Sequence, residues 1–266
     1  MVMRWRAAVA PGFAPLALLL VGFAWIMLLG WEASPHSRYL HHGDWSAIGL
    51  GAALCTAVPA GAWVFPIAIY SASWLLMSAA MMLPTTLPLI RLFDRMIAGR
   101  RDGAVLHGLL IVGYLVAWSG FGIAAHILDW SLHRGLDGWR WLAERPWVPS
   151  AVVLAFAGAF QFSSFKYHCL DKCRTPVGFI TRHWHGPRPW REAMTLGFSH
   201  GLYCIGCCWL LMLLMFVVGA GNLGWMLLLA LIMATEKNHS WGRRLSAPLG
   251  SALLSVAGIL VLRAMV

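Results

Sequence analysis

The sequence predicts an all-α fold, a polytopic transmembrane helical bundle with six to seven spans. Only 11% of its 266 residues are charged and 60% are hydrophobic, whereas soluble domains carry about 25% charged residues. The mean hydropathy is +0.70, and the apolar residues form stretches close to the roughly 20 residues that a helix needs to cross a bilayer. We therefore expect a single integral membrane domain over residues 1–266.

Seven apolar stretches define the predicted helices. The first follows Arg4 and Arg6 without a small-residue cleavage site, so we interpret it as a retained helix rather than a signal peptide. The second can be preceded by a short helix at 45–58, and Pro84 and Pro88 should break or bend its end. The sixth is marginally short for a span. In order, the predicted segments are 13–31, 61–90, 104–128, 148–167, 193–219, 222–236 and 247–264.

The basic residues orient these helices. With the N-terminus in the cytoplasm, the inner segments hold 15 Lys and Arg residues and the outer segments five, as the positive-inside rule requires. The outer connection 129–147 alternates charge with tryptophan, which fits either an interfacial helix or a plain loop. The net charge of +10 then reflects inner loops beside anionic lipid, not nucleic-acid binding. These features predict a multi-pass protein of a bacterial-type inner membrane.

Cysteines are concentrated in one part of the chain, where five of the six lie within 169–208. His200, Cys204, Cys207 and Cys208 occupy positions i, i+4, i+7 and i+8 of the fifth predicted helix. At about 100° per residue, these side chains fall within one arc of about 100°. One face of a buried helix therefore carries an imidazole and three thiols, which is a pattern typical of a site for a soft metal.

A second pair of thiols lies at the cytoplasmic end of the fourth predicted helix. Cys169 and Cys173 are four residues apart and share a helix face. The pair can clamp an ion alone or join a site that the fifth helix completes. Lys166, Lys172 and Arg174 are close in sequence, and positive neighbours favour the thiolate form that binds metals.

Methionine and glutamate add candidate ligands near the same side of the membrane. Met77 and Met81 share a face of the second helix, from which Met82 is predicted to turn away. Glu236 ends the short sixth helix, where it can either gate an ion or pair with a basic residue. Packing is the alternative role for the two methionines, and packing of all five thiols is the alternative to a metal site.

Several other residues are predicted to have structural roles. Gly197 and Gly201 have the spacing that lets a neighbouring helix approach closely. Gln161 is polar in an apolar helix and needs a partner, and His107 and His126 fit hydrogen-bonded positions within the bundle. The remaining residues that we assign to packing or to solvent are Cys55, His36, His41 and His42.

The donor set indicates copper(I), with zinc as the alternative. Thiolate and thioether ligands select copper(I), zinc or iron–sulfur clusters. Methionine sulfur suits copper(I) better than zinc, and the cysteine spacings of iron–sulfur proteins are absent from the sequence. Nor does the sequence carry a C-x-x-C-H haem-attachment motif, a phosphate-binding glycine loop or a zinc-protease motif.

Long blocks of this sequence resemble domain-of-unknown-function family 2182, described as predicted metal-binding integral membrane proteins. The resemblance covers roughly residues 60–240 and implies a helical membrane fold with a metal site. Phe160 stands where the family pattern leads us to expect tyrosine. The blocks that carry the resemblance are WLLMSAAMMLP (74–84), KYHCLDKCRTP (166–176), GFSHGLYCIGCCWLLM (197–212), GNLGWM (221–226) and Glu236-Lys237.

These observations predict an integral membrane protein that handles copper(I), with transfer, transport or delivery as its role and no catalytic residues. The expected partners are the lipid bilayer, the metal ion, and a metallochaperone or a membrane cuproenzyme. A membrane thiol oxidoreductase and a structural subunit of a larger membrane complex are the alternatives. The predicted metal ligands are Cys169, Cys173, His200, Cys204, Cys207, Cys208, Met77, Met81 and Glu236.

Overall fold

The computed structural model describes residues 14–33, 64–136, 147–218 and 222–265, together with Trp141 and Arg145. Those residues form helices and no strand, which confirms the predicted all-α class. The predictions for 45–58, Cys55 and the histidines of the first connection lie outside the described residues. The helices are α1 (Ala14–Glu32), α2 (Val64–Met82), α3 (Leu87–Met96), α4 (Gly103–Leu136), α5 (Trp147–Phe160), α6 (Ser164–Arg174), α7 (Pro176–His183), α8 (Pro189–Val218), α9 (Leu223–Asn238) and α10 (Ser246–Met265).

By length and composition, five segments of the described residues can cross a membrane. Helices α5 and α6 meet at an angle of 64° and add a sixth span if they are counted together. Helix α9 has 16 residues and so extends only about 24 Å, short of a hydrocarbon core of about 30 Å. The sixth predicted segment is therefore confirmed as a short one. The five segments are 15–32, 71–96, 103–128, 189–215 and 242–265.

The predicted break at Pro84 is confirmed by a 3₁₀ turn at Leu83–Thr86. Proline lacks an N–H group and interrupts the α-helical hydrogen bonds. The hydroxyl groups of Thr85 and Thr86 donate to carbonyl oxygens three residues earlier, at 2.7 and 2.8 Å. Carbonyl groups at the break are therefore hydrogen-bonded inside an apolar bundle. The turn ends α2 at Met82, whose side chain is fully buried.

Helices α4 and α8 form the most extensive pair of the bundle, and α6 packs against α8 from another side. The pairing depends on glycine. A Cβ atom on Gly197 would lie 1.9 Å from the carbonyl oxygen of Leu110, and one on Gly113 would lie 2.2 Å from that of Met194. The two backbones are thus in direct contact, as the spacing of Gly197 predicts.

We expect Gly197→Ala to lower the stability of the bundle by about 3 kcal/mol, because the added methyl group forces two backbones apart. The loss is measured as a lower midpoint for thermal loss of helical circular dichroism in detergent. Gly108→Ala is the matched control, since a Cβ atom on Gly108 of α4 has no neighbour within 4 Å. An equal midpoint for both variants would contradict the proposed close packing.

The bend between α5 and α6 brings α6 onto α8. After the bend, the Ser163 hydroxyl caps α6 by accepting a hydrogen bond from the backbone N–H of Lys166 at 3.1 Å. Helix α6 then runs beside α8 and also contacts α9. The two cysteine-bearing helices of the sequence are therefore neighbours in space.

Candidate metal centre

The thiols of α6 and α8 belong to one cluster. Cys204, Cys207 and Cys208 are at most 1% exposed, Cys169 is 4% exposed, and Cys173 is partly exposed. All five are free thiols. The Cys173 side chain lies beside that of Cys207. The α6 pair is therefore next to the α8 thiols, and a single metal site that both sets share stays a prediction.

Gly206 allows α6 to approach α8 this closely. A Cβ atom at position 206 would lie 2.7 Å from the sulfur of Cys169. That distance is shorter than real carbon–sulfur contacts, so a larger residue would displace Cys169. The sulfur of Cys169 thus fills the space over a glycine in the helix that carries Cys204, Cys207 and Cys208.

On α8, the three thiols are arranged around the backbone of Cys204. The sulfurs of Cys207 and Cys208 lie 3.1 and 2.9 Å from the Cys204 carbonyl oxygen, to which their thiols donate. The sulfur of Cys204 lies 3.0 Å from the hydroxyl oxygen of Tyr114 on α4, which also contacts the carbonyl oxygen of Met82. Tyr114 is a site residue without a sequence signal, because its position depends on how α4 packs on α8.

The ammonium group of Lys237 points into this cluster from α9. Its Nζ atom lies 2.9 Å from the sulfur of Cys204 and 3.6 Å from that of Cys208. Lys237 is only 5% exposed. A buried cation in an apolar bundle requires a counter-charge, and this lysine is positioned to neutralise thiolates. The sequence contained a usable signal, since a lysine at the end of an apolar helix needs a partner.

Met82, which is predicted to turn away from the face of Met77 and Met81, reaches the thiols. Its sulfur lies 3.9 Å from the sulfur of Cys208 and 3.9 Å from Nζ of Lys237. It is the last residue of α2, directly before the 3₁₀ turn. Met77 and Met81 are buried in the hydrophobic core, and their role as ligands stays a prediction.

Glu236 is held in a buried ion pair beside the cluster. Its carboxylate oxygens accept hydrogen bonds from Nζ of Lys166 at 2.8 and 3.0 Å and from the Ser246 hydroxyl at 2.7 Å. Lys166 also donates to Gln161, which confirms that this amide has a polar partner. Of the two predicted roles of Glu236, pairing is the one seen here. This network joins α6, α9 and α10, while the guanidinium of Arg174 donates to the Glu236 carbonyl oxygen.

His200 lies one helical turn before Cys204 and is 3% exposed. Its ring packs near Tyr114, at 6.1 Å between ring centres, and edge-on to Phe179 at 5.4 Å. Its Nδ1 atom has no hydrogen-bond partner among the described residues. A buried imidazole nitrogen without a partner is costly unless it binds something. His200 therefore remains a candidate ligand.

The thiols do not yet form a closed metal site. Across the described ranges, no three His, Cys, Asp or Glu side chains converge closely enough to hold an ion as they stand. The sulfurs are instead engaged with the Cys204 carbonyl, Tyr114 and Lys237. Thiol side chains must rotate away from these partners before two or three sulfurs can share one ion.

A family model described as PpoB2, copper chaperone, matches residues 71–261. This range contains Met82, all five clustered cysteines and Lys237, and it covers more than half of the chain. The chain belongs to the PpoB2 copper chaperone family. The match confirms the coarse part of the resemblance, a metal-binding family, although its name differs from that of family 2182. No curated protein and no solved structure matches the chain.

Membership of the PpoB2 family points to copper as the metal. The cluster fits that ion, because thiol and thioether sulfurs are soft donors.

Two histidines outside the cluster contact other side chains. The ring of His168 lies 6.5 Å from that of Tyr203, and Nδ1 of His107 lies 2.9 Å from a carboxylate oxygen of Asp94, as predicted for a bundle residue.

Proposed function

We propose that this PpoB2 family member binds copper(I) within a membrane and passes it to another protein. The observation that carries the proposal is that the sulfurs of Cys204, Cys208 and Met82 lie around the buried ammonium group of Lys237, with the other three thiols of α6 and α8 beside them. Thiolates inside an apolar bundle are stable only beside positive charge. Lys237 supplies one positive charge beside the thiols, and a bound copper(I) ion would supply another.

Copper(I) suits these ligands better than zinc. It accepts two or three sulfur ligands, including the thioether of methionine, whereas structural zinc sites are closed by four ligands. Cys204 and Cys208 lie beside Lys237, and Met82 lies 3.9 Å from Cys208. His200 and Cys207 extend the same helix face. We therefore assign the tight binding site to the α8 thiols.

The exposure of the thiols suggests how the ion enters and leaves. Cys173 is the partly exposed member of the cluster, and it contacts the buried Cys207. We propose that copper(I) passes between Cys173 and Cys207 by ligand substitution, in which one Cu–S bond forms as another breaks. Each thiol that binds the ion releases its proton, and each thiol that loses the ion regains one. No nucleotide and no redox step is required.

The location and the partners follow from the same features. Several apolar helices long enough to span a bilayer and the bias of basic residues support a bacterial-type inner membrane with a cytoplasmic N-terminus. Cys173 then lies towards the cytoplasmic side, where a metallochaperone can reach it. A membrane cuproenzyme is the alternative partner. In either case this chain acts as a carrier and not as an enzyme.

Copper transfer from purified protein in detergent tests the proposal. We expect the wild-type protein to retain about one copper(I) ion against a weak chelator and to release it to a dithiol peptide. Cys173→Ser should slow that release at least about tenfold while the affinity changes little, because the exchange ligand is lost and the α8 thiols are kept. Arg101→Met, a change at an exposed residue outside the cluster, is the control.

Two results would contradict the proposal. A wild-type protein that binds no copper(I) would remove the metal-handling function. A reversible disulfide that forms within the cluster in the absence of metal, together with normal copper release by Cys173→Ser, would favour the thiol oxidoreductase alternative. Mass spectrometry after thiol alkylation detects that disulfide.

A further inference from the structure

Lys237 is a buried lysine whose contacts are sulfur atoms. Its Nζ atom contacts Cys204, Cys208 and Met82, and no carboxylate of the described residues lies within ion-pair distance of it. We propose that Lys237 determines the specificity of the site, so that it holds a monovalent soft ion and rejects divalent ions. The inference rests on the proposed copper(I) site and adds the residue that selects the charge of the ion.

The neighbouring charges make Lys237 available for this role. Glu236 is adjacent in sequence, but its carboxylate accepts hydrogen bonds from Lys166 and Ser246. Lys166 and Glu236 therefore neutralise each other, whereas the positive charge of Lys237 is left facing the thiols. Because unpaired charge is costly in an apolar interior, the pocket around Lys237 favours a metal–thiolate complex whose net charge is minus one.

A simple charge count separates copper(I) from zinc at this position. Two thiolates and one copper(I) ion form a complex with one negative charge, which the ammonium group of Lys237 balances. Two thiolates and one zinc ion form a neutral complex, which leaves the lysine charge unbalanced. The repulsion between Lys237 and the ion is also twice as large for a divalent ion, because Coulomb energy is proportional to charge.

The positions of the sulfurs agree with a two-thiolate complex at this place. The sulfurs of Cys204 and Cys208 lie 2.9 and 3.6 Å from the same nitrogen atom, so they are at most 6.5 Å apart. They are four residues apart on one helix face, and the Cys208 thiol donates to the carbonyl oxygen of Cys204. The sulfur of Met82 lies near Cys208 and offers a neutral third ligand, which leaves the charge count unchanged.

Competition titrations of the full-length protein in detergent test the inference. Copper(I) affinity is measured against a chromogenic copper(I) chelator, and zinc affinity against a fluorescent zinc chelator. We expect Lys237→Met to lower the ratio of copper(I) affinity to zinc affinity at least about tenfold, because one unit charge near the ion is removed. Lys237→Arg keeps the charge and should keep the ratio within about threefold. Arg101→Met, which removes an exposed positive charge outside the cluster, is the matched control and should leave the ratio unchanged.

A second neutral variant and a wild-type measurement complete the test. Lys237→Gln should repeat the change of ratio if the methionine variant does not fold, as judged by helical circular dichroism. In the wild-type protein, an excess of zinc should not displace bound copper(I). An unchanged ratio in folded Lys237→Met or Lys237→Gln, or displacement of copper(I) by zinc in the wild type, overturns the inference. Absence of copper(I) binding to the wild type would instead reject the proposed function itself.

Discussion

Replacing Cys204 with serine should weaken copper(I) binding at least about a hundredfold. A residue that only orients a metal ligand is worth about 10- to 100-fold in affinity, and Cys204 is proposed as a ligand. Its sulfur is the one that contacts both Lys237, at 2.9 Å, and the hydroxyl group of Tyr114, at 3.0 Å. Serine keeps the size and the hydrogen bonds but lacks the soft donor atom.

The measurement is competition with a copper(I) chelator, together with copper analysis after gel filtration. Cys55→Ser is the control, because Cys55 is the sixth cysteine and is predicted to be a packing residue. The copper(I) affinity of Cys207→Ser should lie between those of Cys204→Ser and Cys55→Ser, because Cys207 joins the α8 site to Cys173. Copper affinity that stays at the wild-type value in both Cys204→Ser and Cys207→Ser would show that the ion binds elsewhere.

Replacing Glu236 with glutamine should destabilise the protein by about 3–5 kcal/mol, the cost of breaking one half of a buried ion pair. Lys166 is fully buried and Glu236 is 1% exposed, so the variant leaves an ammonium group in an apolar interior without a counter-charge. The carboxylate also accepts a hydrogen bond from Ser246 at 2.7 Å. The result is measured as a lower midpoint of thermal unfolding in detergent.

A double variant separates structure from ligation. Lys166→Met combined with Glu236→Gln removes both charges and should recover most of the lost stability, because replacing a whole buried pair is often nearly neutral. If Glu236 only pairs with Lys166, the double variant also recovers copper affinity. If stability returns while copper affinity stays low, Glu236 is a ligand after all. A double variant as unstable as Glu236→Gln would show that breaking the Lys166–Glu236 pair is not the cause of the lost stability.

Features that depend on local sequence were predictable. The helical segments, the break at Pro84 and the close packing at Gly197 follow from apolar length, the missing proline N–H and the missing Cβ atom. The shared face of Cys204 and Cys208 follows from helical periodicity. Each of these needs only one helix, and the structure agrees with each.

The particular side chains that meet between helices were not predictable. The approach of Lys237 to Cys204 joins residues 33 positions apart, and that of Met82 to Cys208 joins residues 126 positions apart. The periodicity of α2 gives the direction of Met82 relative to Met77 and Met81, but it does not give the helix that Met82 meets. The bend between α5 and α6 brings Cys173 to Cys207, and no periodicity in the sequence encodes that meeting.

The direct backbone contact between α4 and α8 has a consequence for movement. Two helices that touch through Gly113 and Gly197 cannot slide past each other without steric overlap. The α8 thiols therefore keep a fixed position relative to α4. Helix α6 carries Cys169 and Cys173 after the 64° bend and is held to α9 by the Lys166–Glu236 pair. We therefore expect copper exchange to occur by rotation of the thiol side chains, while the helices that carry them keep their positions.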